Sequence, residues 1–244
     1  MFKKIWFDSK PRTALATKYI QSTAKTDVAW MTRLPFHTLK VNLQQEAECI
    51  LSQSTPNCRN EIRRGGKIGL DFRAGPTTQA DADFIHHFLN RKNLGKFSRT
   101  YLTDPTALVC TTNLHGTRLA THLYVVSNLA SRARLVYSAV ADPTSITTLD
   151  EMSPQRLIGI ANRFLHFTSF LHFKTQGLKV YDFGGIGQKE DDPKIKGINE
   201  FKRSFGGTQA IEYNYIPIWI SIVEKILQRR TSRMLQQQKQ SQIC

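Results

Sequence analysis

Residues 176–207, QGLKVYDFGGIGQKEDDPKIKGINEFKRSFGG, constrain the fold more than any other part of the chain, because they read as a strand, a loop and a short helix. Gly177 can take the left-handed conformation that ends a preceding helix, and 178–183 is a short β-branched and aromatic run, the pattern of a strand. That strand runs out in Asp182-Phe183-Gly184-Gly185, a carboxylate beside two residues whose bare backbone lets a ligand come close. Strand ends of this kind are where open α/β sheets bind ligands. After a polar loop containing Pro193, Ile198, Phe201 and Phe205 fall three and four apart, which predicts one helix face over 197–205, stopped by Gly206-Gly207. Lys202 and Arg203 on that helix would stand near any anion or developing oxyanion held at the strand end.

The rest of the chain supplies elements of both kinds. Residues 38–43 alternate as a strand, and 44–64 read as two helices joined at Ser54-Thr55-Pro56. On the second, Arg59, Arg63 and Lys67 recur every four residues with Arg64 beside them. Like charges so spaced repel by about a few tenths of a kcal/mol per pair, so the face is either solvated or neutralised by phosphate or RNA. Gly65-Gly66 are expected to end that helix and 68–73 to form a strand. A helix over 79–91 carries Asp81 and Asp83 in its first turn and Arg91 at its end, as the helix dipole favours. Three strands follow at 107–112, 118–126 and 133–141, the first two joined by the hairpin signal Asn113-Leu114-His115-Gly116. Ser153-Pro154 opens an amphipathic helix, with Ser as N-cap and Pro in the first turn. Inside it Arg156, Gly159 and Ala161 resemble the R-x-x-G-x-A pattern by which GNAT enzymes bind the pyrophosphate of coenzyme A on backbone N–H groups at a helix N-terminus. A last strand over 210–215 puts Tyr213 and Tyr215 on one face.

A formal net charge of +15 demands an anionic partner: RNA, a phosphorylated cofactor, a nucleotide-linked sugar or an anionic membrane surface. The four cysteines form no C-x-x-C pair and the histidines lack ligand spacing, so neither a disulfide framework nor a metal site is expected. The N-terminus does not read as a secretory signal and no run approaches a membrane span, which predicts a cytoplasmic protein, with the inner face of the membrane as a second location.

Three ordered blocks carry a family resemblance. YDFGGI (181–186) followed by GINEFK (197–202) and FGG (205–207) resembles the C-terminal signature of the FemABX family. NCRNEIRRGGKIGLDF (57–72), with its R-x-x-I-R-R-x-x-K helix, is similar to a second block of that family, and 161–185 to the helix leading into its signature strand. FemABX members add amino acids to peptidoglycan precursors and have the GNAT-like acyltransferase fold. The resemblance implies an α/β (α+β) chain with a mixed, mostly antiparallel sheet flanked by helices. Its parts are a basic N-terminal extension (1–37), a GNAT-like acyltransferase domain (38–216) and a basic helical tail (217–244). The chain has room for only the second of the family's two GNAT-like halves.

By this resemblance Lys202 is the electrostatic stabiliser, Phe201 shapes its pocket, and Asp182 is the nearest carboxylate, acting as a base or holding the loop. Gly184, Gly185, Arg91 and Tyr213 are candidate substrate contacts, Arg59, Arg63, Arg64 and Lys67 candidate phosphate or RNA contacts, and Arg156 with Gly159 the coenzyme A candidates. No cofactor is expected to be permanently bound, and the co-substrate is aminoacyl-tRNA or acyl-CoA. The implied reaction is direct transfer of an aminoacyl or acyl group to an amino or hydroxyl group of a peptidoglycan or surface-glycan precursor. Two rivals are an acetyl-CoA-dependent N-acetyltransferase acting on an amino sugar and a non-catalytic protein that binds RNA or another anion.

Overall fold

A computed structural model describes residues 3–146, 152–188 and 191–223. In chain order the elements are β1 (Lys3–Trp6), β2 (Thr17–Ser22), β3 (Met31–Asn42), α1 (Ala47–Ser52), α2 (Pro56–Lys67), β4 (Arg73–Pro76) and α3 (Gln79–Lys92). There follow β5 (Ala107–Leu114), β6 (Thr117–Ser127), β7 (Arg132–Val140), α4 (Pro154–Thr175), β8 (Val180–Gly185), α5 (Pro193–Arg203) and β9 (Thr208–Pro217).

The chain divides into two compact units, one made of Met1–His37 with Ile211–Cys244, the other of Thr38–Ala210. In the first, β1 pairs parallel with β2, and β2 pairs antiparallel with β9. Tyr19, Met31 and Tyr215 form its small core, with Tyr213 packed against them. Residues 218–223 are helical, and the basic second half expected of the C-terminal tail lies outside the described residues.

The larger unit holds a mixed sheet in the order β3-β8-β7-β6-β5-β4, antiparallel at every junction except β7 with β8. Its core is continuous from Leu39 and Val41 through Tyr124, Leu135, Tyr181 and Phe183 to Phe170 and Phe173 of α4. α4 lies over β5 and β6 and packs on α2.

Local chemistry sets most boundaries. Ser153 caps α4, Thr78 and Asp81 form a reciprocal capping box on α3, and Thr55 caps α2 directly before Pro56. Three boundaries differ from expectation. α2 runs through Gly65-Gly66 to Lys67. Gly65 is there for close approach, since a Cβ on it would stand 2.7 Å from that of Phe164 on α4. Residues 68–72 are not a strand, and they are held by Asp71, whose carbonyl accepts from Thr112 Oγ1 (2.6 Å) and whose carboxylate accepts from the Asn113 amide nitrogens (2.8 Å). Finally, α5 begins four residues before Gly197, at Pro193 behind an Asp192 cap. Ile198 is exposed on it, and the buried position belongs to Asn199.

Candidate active site

The parallel pairing of β7 with β8 spans only Arg132↔Val180 to Arg134↔Asp182. Beyond it no further bridge joins the two strands among the described residues, although β7 continues to Val140. The separation opens where Gly184 and Gly185 lie. Gly184 has φ 72°, and a Cβ there would stand 2.9 Å from the Leu135 carbonyl oxygen, so only glycine lets β8 turn away this close to β7.

Asp182 is the anchor of this turn. Tyr181 and Phe183 point into the core, so the strand's alternation sends Asp182 to the opposite face, where it is fully buried. Arg132 forms an ion pair with its Oδ2, the Gly184 amide donates to its Oδ1 (2.8 Å), and the Thr38 hydroxyl lies within reach of both Oδ1 and the Gly184 carbonyl oxygen (2.8 Å). Burial pushes the carboxyl's pKa up, but the charges of Arg132 and Arg134 with the Thr38 hydrogen bond outweigh it and hold the group below the usual carboxylate range. A carboxylate so engaged is a poor proton acceptor. Of the two roles expected for Asp182, the geometry supports holding the loop rather than acting as a base.

Lys202 approaches from α5. Asn199 bonds in both directions to Gly187, its Nδ2 donating to the carbonyl (2.8 Å) and its Oδ1 accepting from the amide (3.1 Å), which fixes the helix against the loop after β8. Three residues on, on the same face, Lys202 Nζ donates to the Gly185 carbonyl oxygen at 2.6 Å. The side chain is half-buried, and this desolvation, with the charge of Arg134, lowers its pKa to about 8 despite the pull of Asp182. The ring of the adjacent Phe201 lies 5.6 Å from that of His166 and 5.3 Å from that of Phe205, with the Arg163 guanidinium 5.0 Å above it.

Other expected site residues are placed elsewhere. Arg91 binds Asp142 (2.8 Å) and the carbonyls of Val140 and Ala141 (3.1 Å each), tying the end of α3 to the end of β7 instead of presenting itself to a substrate. Tyr213 belongs to the smaller unit, where Arg33 lies over its ring at 5.5 Å. Arg59 donates to the carbonyls of Ser52 and Ser54 (2.7 Å each) at the end of α1, and Arg63 stands 3.8 Å from Glu48. Arg64 and Lys67 are exposed. Arg156 and Gly159 lie inside α4, behind the Ser153 cap, where the backbone amides around Gly159 are committed to the helix ladder, so they form no phosphate cradle at its entrance.

Several groups around the site were not singled out by the sequence. Arg132 and Arg134 alternate on β7 as R-A-R, a spacing that puts two cations on one face of a strand. Thr38 carried no signal. His166 is buried, its ring 4.1 Å from that of His122 and tilted 43° to it, and it is hydrogen-bonded to the Tyr181 hydroxyl (2.7 Å), which continues to Tyr124 (3.1 Å). Burial first, then the charges of His122, Lys202 and Arg163, push its pKa well below the ordinary imidazole value, so it is neutral.

The mixed, mostly antiparallel sheet flanked by helices is the GNAT-like acyltransferase fold. Three solved structures share it with this chain. The C-terminal domain of a putative lysylphosphatidylglycerol synthetase from Agrobacterium fabrum superposes with TM-score 0.53 at 15% identity, covering 82% of this chain and 67% of that one. L-PGS from Bacillus licheniformis gives 0.54 at 14%, covering 83% and 68%, and FemX gives 0.53 at 13%, covering 75% and 62%. The chain thus spans about two thirds of the length of each. No protein-family model and no curated protein matches its sequence.

Proposed function

We propose that this protein is an acyltransferase that moves an activated aminoacyl group onto an amino or hydroxyl group of a cell-envelope precursor, by direct attack and without a covalent acyl-enzyme. The observation that carries the reading is the Lys202 ammonium on the Gly185 carbonyl, at the point where β7 and β8 separate. As the acceptor's nitrogen or oxygen bonds to the acyl carbon, the carbonyl electron pair moves onto its oxygen. A cation already fixed at the end of β8 offsets that charge without reorganising. When the intermediate collapses, the bond to the donor's oxygen breaks, and the proton lost by the acceptor ends on that leaving oxygen. Asp182 with Arg132 and Thr38 holds the glycine turn that forms the floor.

One structural neighbour is named a putative lysylphosphatidylglycerol synthetase, which supports a reading that joins an amino acid to an envelope molecule, as the FemABX-like motif also does. Aminoacyl-tRNA as donor draws support from the exposed Arg64 and Lys67 on α2 and from the net charge of +15. The acyl-CoA alternative loses one of its supports, because R-x-x-G-x-A lies in a helix interior, and it keeps the other, the room for only one GNAT-like half in this sequence.

The test is thermal stabilisation of the purified full chain by charged tRNA, uncharged tRNA or acetyl-CoA, since a ligand specific to the native state must raise its melting temperature. Charged tRNA is expected to raise it most, and transfer of a radiolabelled amino acid to an envelope extract should follow. Stabilisation by acetyl-CoA alone would move the reading to an N-acetyltransferase. Equal stabilisation by charged and uncharged tRNA with no transfer would leave an RNA-binding protein.

A further inference from the structure

The smaller unit carries a second feature, independent of the acyl-transfer reading. Three of its segments are joined by hydrogen bonds: Thr13 Oγ1 donates to the Ala29 carbonyl (3.0 Å), the Ile218 amide to the Trp30 carbonyl (2.9 Å), and Trp219 Nε1 to the Leu15 carbonyl (2.9 Å). These bonds gather large apolar side chains that stay in solvent. Trp30 is 74% exposed, Leu15 71% and Ile222 52%, with Ile218, Trp219 and Val223 exposed beside them. Trp30 also sits at φ 60°, a conformation that side-chain-bearing residues rarely take. In the first turns of the helix at 218–223 only Ile220 is buried, and the remaining apolar residues form an open face.

The charge around this patch is one-sided. Residues 3–37 and 211–223 contain seven lysines and arginines against three carboxylates. Of the carboxylates, Asp27 is engaged by Arg33 (3.0 Å) and Glu212 is buried against Gln21 (3.0 Å). Lys10, Arg12 and Lys25 are exposed in the segments that carry Leu15 and Trp30. The sequence beyond, outside the described residues, continues with Lys225, Arg229, Arg230 and Arg233. Exposed indoles and aliphatic side chains flanked by cations match an anionic lipid surface on both counts, apolar burial at the acyl boundary and attraction to the headgroups. A protein partner would need a matching acidic and apolar surface, whereas a bilayer with anionic lipid presents both everywhere. Among the described residues no helix is long and apolar enough to cross a membrane, so the contact is interfacial.

We infer that the patch formed by Leu15, Trp30, Ile218, Trp219, Ile222 and Val223 docks this protein on an anionic bilayer. The full chain should sediment with phosphatidylcholine vesicles containing about one third phosphatidylglycerol and far less with phosphatidylcholine alone. The tryptophans, Trp6, Trp30 and Trp219, all lie in this unit, so their emission should shift to shorter wavelength on binding and be quenched by brominated lipid. Trp30→Ser with Ile222→Ser should weaken vesicle binding by about tenfold or more without lowering the melting temperature. Lys10→Glu with Arg12→Glu, which leaves the apolar face untouched, should remove the preference for the anionic vesicles. Absence of sedimentation with either vesicle overturns the inference, as does binding that Trp30→Ser and Ile222→Ser leave unchanged. A dimer that those substitutions dissolve, in a protein that ignores vesicles, would assign the patch to a second copy and equally overturn it.

Discussion

Asp182 and Lys202 carry opposite charges on one strand-loop-helix segment, yet they are held in contrasting ways. Asp182 is fully buried and met by an arginine, a hydroxyl and a backbone amide, and its pKa is driven down. Lys202 is half-buried, donates to a single carbonyl in the described contacts, and its pKa is driven toward neutrality. A charge with its hydrogen-bonding capacity spent inside the fold is architecture, whereas one left half-buried at the end of β8 with a single hydrogen bond is available to a substrate. The two should therefore fail differently when removed.

The largest effect is expected at Asp182. Asp182→Ala leaves Arg132 buried without its carboxylate, and breaking a buried pair from one side costs about 3–5 kcal/mol. Chemical denaturation should show that loss whether or not a substrate is known. The pH dependence has a definite sign. A carboxyl with a lowered folded pKa adds stability above its ordinary value near 4, and that contribution is lost as pH falls through the folded value. The parent should lose this increment on acidification and the variant should not. An Asp182→Ala protein as stable as the parent would contradict the anchoring role.

Next in size is the rate effect at Lys202. Lys202→Met should lower turnover by about a hundred- to a thousandfold, the scale seen when one donor to a developing oxyanion is deleted. Stability should move the other way. A lysine whose folded pKa lies below its ordinary value is carried as a cation against the preference of its surroundings at neutral pH. Its removal should leave the melting temperature unchanged or raise it. If Lys202→Met unfolds the chain while turnover per folded molecule is kept, the contrast with Asp182 is wrong.

How far the sequence reached follows the same division. Asp182, the two glycines and Lys202 were legible because strand period, glycine pairs and helical spacing are local, and the FemABX-like motif marked Lys202 in addition. What surrounds them was not, because it depends on strand order. Arg132, Arg134 and Thr38 matter only once β7 and β3 flank β8, and no local pattern says that they do. His166 carried no local signal either, because its hydrogen-bond partner Tyr181 lies on a different element, β8. Gly65-Gly66 read as a stop because glycine permits a helix end and a close helix contact equally, and only Phe164 on α4 decides between them. Arg91 read correctly as an end charge on α3, but its partner Asp142 lies beyond three strands.

The smallest effect separates two uses of the same amine. If the Lys202 ammonium offsets oxyanion charge, turnover should be flat below about pH 8 and fall by about tenfold per unit above it, as the cation is lost. If the neutral amine were a base, turnover would climb through the same range. Lys202→Arg sharpens the distinction, because guanidinium stays charged throughout. The variant, slowed by its changed reach, should lose the alkaline fall and keep a level profile past pH 8. A parent profile that rises there, or an arginine variant that falls as the parent does, would place the titrating group somewhere other than Lys202. Asp182 could not replace it, since its carboxyl is held below the usual carboxylate range and does not titrate near pH 8.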